Sequence, residues 1–409
     1  MKIWLIQTGE DIPLGNGIRK LRTAVLAEEL VRRGHQVTWW AASFSHLRKK
    51  WFEREKDRLV LDSGVNVELL HGRGYQSNVS MARVIDHRIV ARQFKRRSID
   101  MEQPDFVVCS LPPYDLAYQA AHYANRRSIP LIVDARDYWP DIFVDLAPVF
   151  LRPLIRLVLN SEFRLTREAF RAADSITAMS EDNLNWALSY CDREKNCTDR
   201  VFYLGFRAPQ ELSVDQPGWL RALDGRFIVA FIGTFSKFHS PLVLARAAAI
   251  LQQDSRKDIA IVIAGAGGDI ESKVKAEVAG LQNVTMPGWL DQSGIDILLS
   301  RAAIGVCPTS IDAKFFPNKT FLYFSRGLPV LSAFQGELRR VLDGDGLGHY
   351  FHHNDATALA NHIKAFCDDP TLHKKTRERV EQAFRERYDE KVVYADFADH
   401  IESLAAKSG

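Results

Sequence analysis

The sequence predicts an α/β protein built as two tandem Rossmann-like domains facing across a cleft. Three observations predict it. At 409 residues the chain is longer than one hydrophobic core ordinarily serves. Short apolar runs alternate with helix-like periods, as in a parallel sheet covered on both faces. The alternation stops at a polar, proline-bounded stretch, 209–217, and then starts again.

In the first half, 3–7 reads as a buried strand, 9–17 as a loop and 19–33 as a helix with Leu21, Val25, Leu26, Leu30 and Val31 on one face. Gly34 suits a helix C-cap before a strand at 36–41. Further strands are predicted at 106–110, 130–134, 176–180 and 201–204, with helices at 118–127 and 151–173. The second set has strands at 227–232, 259–265, 283–286, 304–307 and 329–334. Its helices are predicted at 242–252, 270–280, 295–301 and 319–326. Two polar helices from about 356 to 400 close the chain.

A hydrophobic fraction of 46% with 26% charged residues describes a folded chain. The net charge of +3 does not by itself imply nucleic-acid binding. Five scattered cysteines form neither a disulfide framework nor a zinc spacing, which fits a reducing cytoplasm. The start, MKIWLIQTGED, does not read as a signal peptide, and no apolar run approaches the roughly 18–20 residues of a membrane span. His35 reads as structural; His352 and His353 lack a third ligand at a recognisable spacing, so no metal is expected.

The most informative stretch is 315–330, FFPNKTFLYFSRGLPV. Phe316, Pro317, Asn318 and Lys319 follow a strand and open a helix. Free N–H groups at such a start, with a lysine in the first turn, suit a diphosphate. An ordinary strand–helix connection with a surface lysine fits the same residues. Loop 9–17, GEDIPLGNG, brings Asn16 and Gly17 to the start of the first helix, as a ligand loop or a plain glycine-rich turn. It is not GxGxxG, which argues against a nicotinamide cofactor. Loop 233–240, GTFSKFHS, offers Gly233, Thr234, Lys237 and His239 to phosphate oxygens. Gly265 and Gly267 allow close approach of a nucleotide, and Trp289 with Leu290 could wall a base. In 134–141, DARDYWPD, the charges Asp134, Arg136 and Asp137 stand at a strand end, where charge is costly unless paired or used. They read as contacts to a reacting centre or as an internal ion pair. Segments 46–58 and 81–97 each carry six Lys/Arg among apolar residues and suit either an anionic lipid surface or a solvated face.

With these residues in hand, the chain resembles the family 4, GT-B-fold retaining glycosyltransferases. The resemblance rests on RRGHQVTWW, IVDARDYWPD, AADSITAMS, VFYLGF, FIGTFSKF, IVIAGAGG, NVTMPGWL and PNKTFLYFSRGLPVL in that order. The D-x-W-P segment is similar to that of enzymes extending lipid-linked or surface polysaccharides. The resemblance implies an acceptor domain over 1–207, a nucleotide-sugar domain over 208–385, and a final helix, 386–409, crossing back to the first domain. The pattern departs at three places. The family's paired glutamates are replaced by Lys314 and Leu322, its loop Arg and Lys by Thr234 and His239, and its histidine after strand 130–134 by Arg136.

The expected function is therefore transfer of a sugar from a nucleotide diphosphate donor, of UDP type, to a glycan or lipid-linked glycan with retention, in surface-polysaccharide synthesis. No separate cofactor or metal is expected; Lys319 would stabilise the leaving diphosphate, and Arg136 and Asp137 would face the chemistry. A cytoplasmic protein with peripheral contact to anionic membrane, and no nucleic-acid partner, is expected. The alternatives are a non-catalytic GT-B partner of an active transferase, which the absent glutamates motivate, and a sugar-nucleotide epimerase.

Overall fold

Apolar runs buried on both faces set two parallel sheets. The structure, a computed structural model, describes residues 1–14, 20–52, 56–78, 80–209 and 216–408. It divides into one unit of Met1–Tyr203 with Val393–Gly409 and another of Leu204–Val392. The predicted linker falls mostly on 210–215, outside the described residues.

In the first unit the strands are β1 (Lys2–Ile6), β2 (Gln36–Ala42), β3 (Phe44–Ser45), β4 (Lys50–Trp51), β5 (Arg58–Val60), β6 (Asn66–Leu70), β7 (Phe106–Leu111), β8 (Leu131–Ala135), β9 (Ser175–Ala178) and β10 (Arg200–Val201). The sheet order is β10-β9-β8-β7-β1-β2-β6-β5, while β3 and β4 form a separate hairpin. Among the described residues only β5 runs antiparallel to its neighbour in this sheet. One face is covered by helix Arg22–Arg32, through Leu26 and Leu30, and by Phe397 and Ile401 of the final helix. The other face buries Trp4, Trp40, Phe94 and Phe170. Phe397 stacks on Phe202 at 4.3 Å, and His35 meets Glu402 at 2.8 Å, so that histidine ties a helix end to the final helix.

The second unit repeats the plan with β11 (Phe227–Ile232), β12 (Ile259–Ala264), β13 (Val284–Gly288), β14 (Ile304–Cys307), β15 (Val330–Ser332) and β16 (Gly348–Tyr350), in the order β13-β12-β11-β14-β15-β16. All its pairs are parallel. Two expected spans change. Residues 151–173 are not one helix: Arg152–Val158 and Asn160–Arg171 are separated at Leu159, whose φ of −88° and ψ of 14° leave the helical region. The closing segment holds three helices, Ala356–Asp368, Pro370–Ala383 and Glu390–Ser408. Pro370 enforces the first break, because it has no N–H to continue a helix, and Asp369 caps the new one at Thr371 and Leu372. Among the described residues no helix is long and apolar enough to cross a membrane.

A buried ion network joins these pieces in the first unit. Arg22 grips Asp134 through two bonds of 3.0 Å. It also donates to the carbonyls of Phe202 and Tyr203 and lies 5.1 Å over the Phe397 ring. Arg136 meets the same carboxylate at 2.8 Å, and Thr177 donates to it at 2.7 Å. Burial alone would raise the Asp134 carboxyl; Arg22 and Arg136 outweigh it and hold it at about 2. The folded carboxyl is thus more acidic than the ordinary 3.8, so its contribution is present above pH 4 and lost as pH falls toward 2. Asp134→Asn should destabilise the first unit by about 3–5 kcal/mol, since Arg22 loses its buried counter-charge and Arg136 is left with Glu10 alone. Urea unfolding followed by fluorescence measures this; a loss under about 1 kcal/mol, the worth of an exposed pair, would contradict the role.

Candidate functional site

In the second unit β11 lies between β12 and β14, so the chain leaves it in opposite directions on its two sides. The carboxyl ends of strands at such a reversal are where open α/β sheets bind ligands. Three loops meet the requirement there. Gly233 ends β11 with φ of 146°, and a Cβ on it would lie 2.9 Å from Lys319 Nζ. Gly265 follows β12 at φ 156°, and a Cβ there would strike the Gly233 carbonyl oxygen at 1.9 Å. The third loop leads from β14 to helix Asn318–Phe324, with Pro317 as its flanking cap residue rather than its first helical one.

Lys319 is the second residue of that helix. Its ammonium is shielded from solvent and has no hydrogen-bond partner, and it lies 4.3 Å over the Phe231 ring. Burial pushes it down to about 8. Beside it, His239 is pushed down to about 3, by burial first and by Lys319 second, so the imidazole is neutral. His239 Nδ1 and the neighbouring Ser240 hydroxyl are also buried without partners. Native proteins rarely leave one such atom unsatisfied. Here loop 233–240 supplies two and the helix start one, and a bound anion would give the Lys319 ammonium the partner it lacks.

The remaining expected residues divide. Thr234 and Lys237 are exposed beside this loop, and the Lys237 carbonyl takes the Ser310 N–H at 3.0 Å, which fixes the loop. Gly267 already gives its N–H to Glu271 at 2.7 Å, so that amide is not free for a nucleotide. Trp289 is 69% exposed after β13, with Leu290 half-buried next to it. Phe316 stacks on Phe321 at 4.7 Å, while Asn318 is exposed at the helix start. Of the two positions lacking the family's glutamates, Lys314 is exposed and Leu322 half-buried. Asn16 and Gly17 lie outside the described residues. His352 and His353 do gain a third neighbour: Asp312 brings a carboxylate oxygen to within 4.8 Å of their ring nitrogens. The spacing concealed it because the loops after β14 and β16 supply the group.

Arg136, expected to face the chemistry, is spent internally on Asp134, Glu10 and the Thr23 hydroxyl. Asp137 points elsewhere. Burial raises its carboxyl, against the pull of the Tyr138 N–H at 2.9 Å and of Trp139. Nearby, a pocket at the carboxyl ends of β1, β2 and β7 is lined by Thr8, Gly9, Phe44, His46, Tyr75, Arg83, His87 and Pro112. Arg83 lies 4.3 Å over Trp139 and 5.5 Å over Tyr75, with Nε unpartnered. His46, held to Tyr75 at 2.6 Å, is pushed down to about 4 and His87 to about 3, chiefly by burial. Sequence reasoning reached Gly9 and Pro112 of this pocket and missed His46, Tyr75, Arg83, His87 and, in the second unit, Ser240. Arg83 stood in a stretch read only for its charge, and a serine carries no signal until its burial is seen.

Comparison with known proteins adds two family models. One, glycosyl transferases group 1, matches 226–369; the other, glycosyl transferase 4-like domain, matches 20–189. No curated protein sequence matches. Solved structures match over nearly the whole chain. HepE of Anabaena in complex with UDP is 13% identical with a TM-score of 0.68, covering 98% of this chain and 99% of its own. A sucrose-phosphate synthase from Thermosynechococcus elongatus is 16% identical with a TM-score of 0.71, covering 99% of each chain. WaaG, a glycosyltransferase of lipopolysaccharide biosynthesis, is 14% identical with a TM-score of 0.64, covering 98% of this chain and 99% of its own.

Lys319 also makes a prediction about stability. Its ammonium holds a proton less tightly folded, at about 8, than at its ordinary 10.5. Between those values the unfolded chain binds more protons, so stability rises with pH. Without ligand, Lys319→Met should therefore be more stable than the wild type at pH 7, by on the order of 3 kcal/mol, with the gap closing as pH rises past 8. Denaturant unfolding at pH 7 and 10 checks it; a less stable variant at both would mean the ammonium has a partner.

Proposed function

We propose that the chain, which has the GT-B fold, is a glycosyltransferase that moves a sugar from a UDP-type donor to a glycan or lipid-linked glycan, with retention, in surface-polysaccharide synthesis. One observation supports the donor site: the buried Lys319 ammonium, 2.9 Å from where a Cβ on Gly233 would stand, has no hydrogen-bond partner, and His239 Nδ1 and Ser240 Oγ of the loop that Gly233 opens have none either. Negative charge grows on the diphosphate as the glycosidic bond breaks, so donors fixed in a dry site stabilise the transition state more than the ground state. Lys319 supplies the full charge, and Gly233 leaves room for the phosphate to reach it. Lys319 and the backbone would take over the diphosphate work where Lys314 and Leu322 replace the family's carboxylates. HepE, whose fold this chain shares, was solved with UDP and with UDP-glucose, which supports the choice of donor.

The first unit is proposed to hold the acceptor. The aromatic and cationic pocket around Arg83 suits a sugar ring beside an anionic group, because rings stack on Tyr75 and Trp139 while Arg83 meets the charge. Asp137, whose carboxyl burial raises, is proposed to orient the reacting hydroxyl. A cytoplasmic setting is proposed from five cysteines that all remain free thiols.

Purified protein given UDP-sugars and a glycan acceptor should release UDP in excess EDTA, because protein cations hold the diphosphate. Lys319→Ala should lose about 1.5–3 kcal/mol of transition-state stabilisation with the fold intact. Wild-type turnover by that variant would place the diphosphate elsewhere, and dependence on added magnesium would refute the metal-free site. UDP binding without turnover would favour a non-catalytic partner, and donor conversion without acceptor an epimerase.

Asp137→Asn should lower turnover far more than donor affinity, since it keeps the size but removes charge and one acceptor. Near-normal turnover per folded molecule, with a lower melting temperature, would instead mean that Asp137 only fixes its loop.

A further inference from the structure

Residues 146–158 leave six large apolar side chains in water. Val149, Phe150, Leu157 and Val158 are 70–80% exposed, and Leu146 and Leu154 are more than half exposed. Neither the 3₁₀ turn Val149–Leu151 nor the helix Arg152–Val158 has a buried residue. The segment is nevertheless held in place: Arg152 donates to the Asp145 carbonyl at 3.0 Å, and Arg156 stands 3.7 Å from Asp141. A contiguous apolar patch of this kind marks a surface that another phase covers.

The charges around the patch select the occupant. From Leu146 to Ser161 there are two arginines and no acid. Helix Met81–Arg97 adds an exposed stripe of Met81, Ile85, Arg88, Arg92 and Lys95 at helical spacing. Arg88 donates to Glu162 at 3.1 Å, so this stripe borders the helix that follows the patch. In a two-fold contact between copies the cationic rim would meet itself. An anionic bilayer instead offers acyl chains beneath a negative layer and accepts both features. We infer that this face of the first unit docks on anionic phospholipid, with Phe150, Leu154 and Leu157 entering the headgroup boundary. The proposed docking leaves out segment 46–58, of which 53–55 lie outside the described residues: its Arg48 and Arg58 pair with Asp11 and Glu68, and Lys49 donates to Asn78. The docking does not depend on which sugar is moved.

The test uses the full chain with phosphatidylcholine vesicles, with and without phosphatidylglycerol. Wild type should sediment with the anionic vesicles roughly tenfold more than Phe150→Glu/Leu157→Glu. Arg92→Glu/Lys95→Glu should weaken binding and flatten its salt dependence. UDP affinity and melting temperature, measured alongside, should stay at wild-type values, which separates this result from failure of the donor site. Hydrogen exchange on unmodified protein should slow in 146–158 when anionic vesicles are added, and needs no variant to fold. Absence of that protection, or equal sedimentation of wild type and the apolar variant, would overturn the inference. So would a concentration-dependent dimer that the apolar variant dissolves.

Discussion

A charge stays buried in a protein only with a partner or with a use. The first unit obeys this at Asp134, where Arg22 and Arg136 close on one carboxylate. That knot holds helix Arg22–Arg32, the end of β8, the carbonyls after β10 and the final helix in one arrangement. The second unit breaks the rule at Lys319, whose ammonium has only an aromatic face beneath it. Holding it there opposes folding, and the proposed bound anion would compensate for that cost. Site and scaffold thus follow from one constraint, met internally in one unit and left open in the other.

The same constraint explains what could be read from the residues. Central strands such as β11 and β14 are apolar on both faces, so 227–232 and 304–307 were legible to the residue. The edge pair β5 and β6 was not, because Arg58 and Glu68 face each other across the strands and interrupt the apolar signal. The 151–173 span failed for the opposite reason: its first half is apolar but faces water, so its leucines report no core. The placement of Lys319 and Gly233 at the carboxyl edge was legible because strand-to-helix order sets it. Arg136 and Asp137 were not separable, because adjacent charges at a strand end give no hint of which turns inward. Ser240 and the Asp312–His353 approach depend on loops meeting in space, which spacing along the chain does not encode.

Loss of the family's two carboxylates has a physical consequence. With Lys314 and Leu322 in those places, the proposed donor site has fewer negative charges facing a diphosphate, and the proposed hold rests on Lys319. The neutral His239 and the Ser240 hydroxyl add donors without charge, which suits an oxygen-rich anion more than a cation.

The most direct test of the account is the proton balance of UDP binding. At pH 8.5 the free Lys319 is largely neutral, since its ammonium titrates at about 8. A bound diphosphate should restore the charged form, so binding draws a proton from solution. Calorimetry in two buffers of different ionisation enthalpy measures that uptake. The account predicts that a substantial fraction of a proton is taken up per UDP by wild type and none by Lys319→Met. Binding of UDP by wild type without proton uptake would show that the phosphates do not meet this ammonium.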